Sequence, residues 1–153
     1  MKRRLLVALV VISLSASGLS ALGIGGAFST GIVGGMPNSA MLSLKLPKLP
    51  LLGFGFSVGS AQTDISLTAD WWFYHQNVGG PFSVYIGAGG YGEYLNGSFG
   101  LGARLPIGLQ FFPLKPLELF IEAAPTAGLS FGNPVQFPVW GVQASVGFRI
   151  WTS

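Results

Sequence analysis

The strongest constraint in this chain is a two-residue alternation in which one parity is aliphatic or aromatic and the other is glycine or polar. From 140 to 151, Trp140, Val142, Ala144, Val146, Phe148 and Ile150 take one parity, and Gly141, Gln143, Ser145, Gly147, Arg149 and Trp151 take the other. Successive side chains of a β-strand point to opposite faces, so this stretch reads as a strand with one greasy face and one small-or-polar face. The division recurs around Leu52–Val58, Ile65–Phe73, Phe82–Ala88, Phe99–Phe111 and Leu117–Ala123, and more weakly over Leu22–Ile32 and Ala40–Leu46. That makes eight candidate strands. With 24 Gly and 10 Pro in 153 residues, nearly every window of helical length is interrupted, which argues against helices.

The placement of charge decides which face meets solvent. Only 8% of the residues are charged, about a third of what soluble domains carry. Asp64, Asp70, Glu93, Glu118, Glu122, Arg104 and Arg149 all fall on the glycine-polar parity, and Lys45, Lys48 and Lys115 fall at connections. Too few charges remain to coat an exterior. The inverse arrangement fits: apolar residues outward to lipid, polar residues and glycine inward, in a closed antiparallel barrel that leaves no backbone group unpaired. The expected fold is all-β, an eight-stranded up-and-down transmembrane barrel over 22–153. At this size side chains fill the interior, and Pro106 and Pro125, inside strands, predict a bulge or kink.

The basic balance does not point to nucleic acid. Lys2, Arg3 and Arg4 precede the uncharged run Leu5–Leu14, followed by Ser15, Ala16, Ser17, Gly18, Ser20 and Ala21. This is the pattern of a secretory signal peptide, expected over 1–21 with cleavage after Gly18 or Ala21. The formal +3 belongs to that segment, because 22–153 balances five cations against five anions. The absence of Cys excludes a disulfide scaffold.

Pairing about the 113–116 turn is expected to bring Arg104 within one or two positions of Glu122, with Asp70 in the same layer, and pairing of the last two strands brings Arg149 near Glu118. Asp70, Arg104, Glu118, Glu122 and Arg149 are therefore read as a structural charge network in the lumen. Trp71, Phe73, Tyr74, Phe82, Phe111, Phe148 and Trp151 lie near the short-turn ends of their strands, where an aromatic girdle belongs.

The chain resembles the small bacterial outer-membrane β-barrels, the class of the OmpA transmembrane domain and OmpX, and especially short barrels of spirochaete type. The resemblance covers 22–153. It rests on the glycine-rich alternating strands, on Leu105-Pro106-Ile107-Gly108-Leu109-Gln110-Phe111-Phe112 with its Pro-x-x-Leu-Glu continuation, and on Val146-Gly147-Phe148-Arg149-Ile150-Trp151. It implies that the closing strand, through Val146, Phe148, Ile150 and Trp151, resembles the signal read by the barrel-assembly machinery, although the chain departs by ending Trp151-Thr152-Ser153. The implied location is the bacterial outer membrane, with outer-membrane lipid as the surroundings; the expected oligomeric state is a monomer. The family has no single activity.

No catalytic, cofactor-binding or metal-binding residues are expected. His75, the single histidine, reads as a residue of a periplasmic turn, and the Gly-x-Gly-Gly stretches lack the Gly-Lys-Ser/Thr of a phosphate loop. The expected function is an integral outer-membrane protein of structural or envelope role. The alternatives are a narrow porin-like channel for small solutes or ions, and a secreted soluble β-barrel or sandwich that binds a hydrophobic ligand.

Overall fold

The computed structural model describes residues 21–34, 38–57, 63–95 and 97–152. Their regular elements are all strands: β1 (Leu22–Val33), β2 (Ser39–Lys45), β3 (Leu51–Ser57), β4 (Ile65–Gly79), β5 (Phe82–Leu95), β6 (Ser98–Arg104), β7 (Ile107–Leu114), β8 (Leu117–Phe131) and β9 (Gln136–Thr152). The signal segment expected at 1–21 lies outside the described residues except for Ala21, whose N–H donates to the Thr152 carbonyl at 3.1 Å.

All pairings are antiparallel between neighbours, and β9 pairs back onto β1, so the sheet closes on itself. β6 and β7 both lie between β5 and β8 and form a single stave, giving eight staves from nine strands. The interruption is at Pro106, which has no N–H to give the ladder. Its carbonyl still accepts from Gly87 N at 2.8 Å, and Leu105 N donates to the Pro125 carbonyl at 3.0 Å. The expected bulge is absent: Gly89 faces Arg104 and Ile86 faces Ile107, so the register is the same on both sides. Pro125 likewise stays in β8 opposite Val142. In both places the chain gives up ladder bonds without inserting a residue.

Register fixes the shape of the barrel. A walk across partners runs from Trp151 to Gly23, Lys45, Leu51, Asp70, Gly89, Arg104, Thr126 and then Gly141, ten residues along the strand where it began. A stagger of ten over eight staves, at about 3.3 Å rise and about 4.7 Å strand spacing, gives a tilt of about 40° and a backbone radius of about 8 Å. Such a tube is filled by its own side chains.

The two parities separate as the sequence divides them. Ile107, Ile121, Val146 and Ile150 are exposed outward, each more than half accessible, whereas Asp70, Arg104, Gln110, Glu118 and Arg149 are buried. Bulges occur elsewhere, one of them between Trp72 and Tyr74 in β4. β4 also runs on to Gly79 before turning, with Gly79 and Gly80 both at positive φ (139° and 54°) that side chains would resist. His75 therefore sits in a strand opposite Tyr85, not in a turn. The sequence-based placement fails because a bulge leaves no compositional mark.

Candidate functional site

The chemistry of this molecule is concentrated in the lumen, where side chains from all round the wall converge in two polar layers. The layer nearer the short turns is built on Glu118, which is fully buried. Its register partner is Arg149, and Arg149 Nη1 donates to Glu118 Oε1. Gln110 Nε2 donates to the same oxygen at 2.8 Å, and Trp151 Nε1 donates to Oε2 at 2.6 Å. Arg149 Nε donates to Ser43 Oγ at 2.8 Å, and its guanidinium lies 3.9 Å from the Phe120 ring centroid and 5.7 Å from that of Trp72. The Gln110 amide is oriented by this carboxylate, which accepts only. Its carbonyl thus faces His75 Nε2 at 2.8 Å, and that nitrogen carries the proton.

The second layer is built on Arg104. Nη2 donates to Glu122 Oε1 at 2.5 Å and Nη1 to Gln143 Oε1 at 2.8 Å. Nε lies 3.2 Å from Asp70 Oδ1, an ion pair without hydrogen-bond alignment. Tyr85 donates to Glu122 Oε2 at 2.6 Å and stacks on Trp72 at 4.2 Å, joining the layers through an aromatic wall.

The register corrects one expectation. Arg104 is opposite Thr126, four residues from Glu122, and meets the carboxylate through the length of its side chain. Asp70 shares the row of Arg104 through Gly89. Gly108 lies under Tyr85, where an added Cβ would fall 2.1 Å from the ring Cζ, and Gly128 lies under Tyr91, where a Cβ would fall 2.6 Å from the hydroxyl. Glycine on the inner parity is what lets rings cross so narrow a tube. Among Ser43, Thr68, Asp70, Arg104, Glu122 and Arg149 a cavity of about 20 Å³ remains, room for about one water.

Outside, Trp71, Phe73, Tyr74, Phe82 and Phe148 are exposed, and Phe111 stacks on its partner Phe82 at 5.0 Å. Trp151 departs from this group. Its indole turns into the lumen to reach Glu118, so it belongs to the charge network rather than to a girdle. Val146, Phe148 and Ile150 point outward on β9, so Trp151 does not share their face. A second aromatic set, which the sequence reading missed, rings the opposite end: Tyr94, Phe99, Phe131, Phe137 and Trp140, all exposed. Strand alternation alone could have found Phe99 and Trp140; Phe131 and Phe137 sit on strand extensions that read as loop. Leu119 lies between Phe111 and Phe148, and Phe131 is twelve residues farther along β8. At the barrel tilt that is about 30 Å of height, the scale of the apolar band and girdles of a membrane barrel, about 25 Å.

No protein-family model and no curated protein sequence matches the chain. Solved structures do. Neisserial surface protein A (NspA) aligns at a TM-score of 0.54 with 15% identity, over 85% of this chain and 94% of that one. The N-terminal β-barrel domain of Pseudomonas aeruginosa OprF aligns at 0.52 with 16% identity, over 88% of this chain and 100% of that one. Both are eight-stranded outer-membrane barrels. The fold is that of the small outer-membrane β-barrels. Within that fold the soluble-sandwich alternative fails, since a soluble protein would place its large aliphatic side chains inside, and here the inside is polar.

Proposed function

We propose that the chain is an integral outer-membrane barrel with a closed lumen and a structural role in the envelope, exported by its N-terminal segment and inserted as a monomer by the assembly machinery through β9. The observation that carries this reading is the pairing of a lipid-compatible exterior with an interior crossed by Arg149–Glu118 and by Arg104 between Glu122 and Asp70. A solute moving through would have to part the Trp72–Tyr85 stack and separate these buried ion pairs, which would expose each charge without its partner. No enzymatic role is proposed, because His75 is engaged with an amide and not with an acid or a nucleophile.

Planar-bilayer recording of the refolded protein tests the closed lumen against the porin-like alternative. The expected trace is flat. Discrete opening steps would establish a solute path and overturn this reading.

A further inference from the structure

We propose that the short-turn end of the barrel is a docking surface for anionic glycerophospholipid headgroups, with Lys48 and Lys115 as the contacts. The proposal rests on the membrane-spanning reading above and goes beyond it by naming the lipid class that one end selects.

Charge is segregated along the barrel axis. Of the five cations in 22–153, Arg104 and Arg149 are consumed inside. The other three, Lys45, Lys48 and Lys115, all stand at the end that carries the β2–β3, β4–β5 and β7–β8 turns. The turn residues 46–50, 80–81 and 115–116 contain no Asp or Glu, so nothing in them offsets the lysines. At the opposite end, the connections 34–38, 58–64, 96–97 and 132–135 contain no Lys or Arg. One mouth is therefore basic, and the other offers no cation to a phosphate.

The two lysine turns are built alike. Leu46-Pro47-Lys48-Leu49-Pro50 and Pro113-Leu114-Lys115-Pro116-Leu117 each set a lysine among prolines and beside a leucine. Lys48 and Lys115 are exposed. The adjoining Leu49 and Leu114 are 52% and 65% exposed. Lys45 has a different role: its ammonium donates to the Leu46 carbonyl at 3.1 Å and the Leu49 carbonyl at 2.9 Å, clasping the turn that presents Lys48. Prolines and this clasp limit the entropy lost when the turn meets a partner.

The leucines distinguish the occupant. A cell-wall glycan would meet the lysines from water and leave Leu49 and Leu114 solvated. A lipid interface takes both: leucine among the acyl chains, ammonium at the level of the phosphates. Lysines close to an anionic membrane surface each strengthen association about 5-fold, an effect that added salt screens.

The test uses the refolded full chain carrying Trp140→Phe, which leaves Trp71 as the lipid-facing tryptophan on the short-turn half. Its fluorescence is quenched by brominated phosphatidylglycerol or brominated phosphatidylcholine at equal mole fraction in mixed vesicles. The expected result is about 5-fold selectivity for phosphatidylglycerol at low salt, falling to about 1 at high salt and in Lys48→Gln/Lys115→Gln. Equal quenching by the two lipids at low salt overturns the proposal, as does selectivity that survives the double substitution. Retention on purified sacculi without lipid selectivity overturns it too, by moving the surface to the carboxylates of the cell wall. Heat-modifiable mobility in phosphatidylcholine vesicles is run on the same samples. Its absence would count against the membrane barrel itself, and its presence with equal quenching counts against the lipid surface alone.

Discussion

Arg104→Ala should destabilise the barrel by about 3–5 kcal/mol, because it strands two carboxylates in the lumen. Arg104 is 3% exposed, and Asp70 and Glu122 face it from strands on either side of its stave. Water that entered the vacated space would carry no charge to compensate Asp70 and Glu122. Stability of small domains is about 5–15 kcal/mol, so the loss is a large share of the whole. The measurement is urea unfolding of vesicle-inserted protein, followed by the fraction of folded, fast-migrating band. The midpoint should fall sharply for Arg104→Ala and recover most of the way in Arg104→Met/Asp70→Asn/Glu122→Gln, where no charge remains to be compensated. An unchanged midpoint in the single variant would show that the lumen layer does not support the fold.

The second large effect is on the outer face. Val146 is 55% exposed and lies between Phe28 and Ile121 on neighbouring strands, well inside the apolar band. Arginine at that depth should cost about 2–4 kcal/mol, since its charge must be held in hydrocarbon or drawn out by distortion of the bilayer. In a water-facing sheet, an exposed Val→Arg change is usually worth no more than about 0.5 kcal/mol. The same unfolding measurement separates the two. A midpoint within the error of the wild type would mean that Val146 does not face lipid.

Much of this architecture is legible in the sequence because lipid imposes a simple rule. A strand with lipid on one side must keep large apolar groups on one parity, and Ile107, Ile121 and Val146 obey it along with their neighbours. The interior residues Asp70, Arg104, Glu118, Glu122 and Arg149 are marked by the same parity, since a charge has nowhere else to go. What escapes the sequence depends on register. The expected one or two positions between Arg104 and Glu122 are too few: the β7–β8 turn, with Leu114 opposite Leu117 and Phe111 opposite Leu119, sets Arg104 opposite Thr126, and the shift between Phe111 and Leu114 accounts for only one residue of the difference. The bulge at Trp72/Tyr74 carries His75 into a strand beside Gln110. Trp151 reads as a girdle residue by position, but its parity turns it to Glu118. The outer aromatic ring is hidden because Phe131 and Phe137 flank a Gly-Asn-Pro segment that reads as loop, while the β8 and β9 ladders extend to its edges.

The central claim is that this chain crosses a membrane as a closed barrel with its aliphatic side chains outward. Heat-modifiable mobility of the protein in the carbonate-washed membrane fraction tests it most directly. The account predicts that unboiled protein stays with the membranes and migrates faster than boiled protein, because the closed sheet survives detergent until heated. A single mobility before and after boiling, with the protein in the soluble fraction, would contradict it.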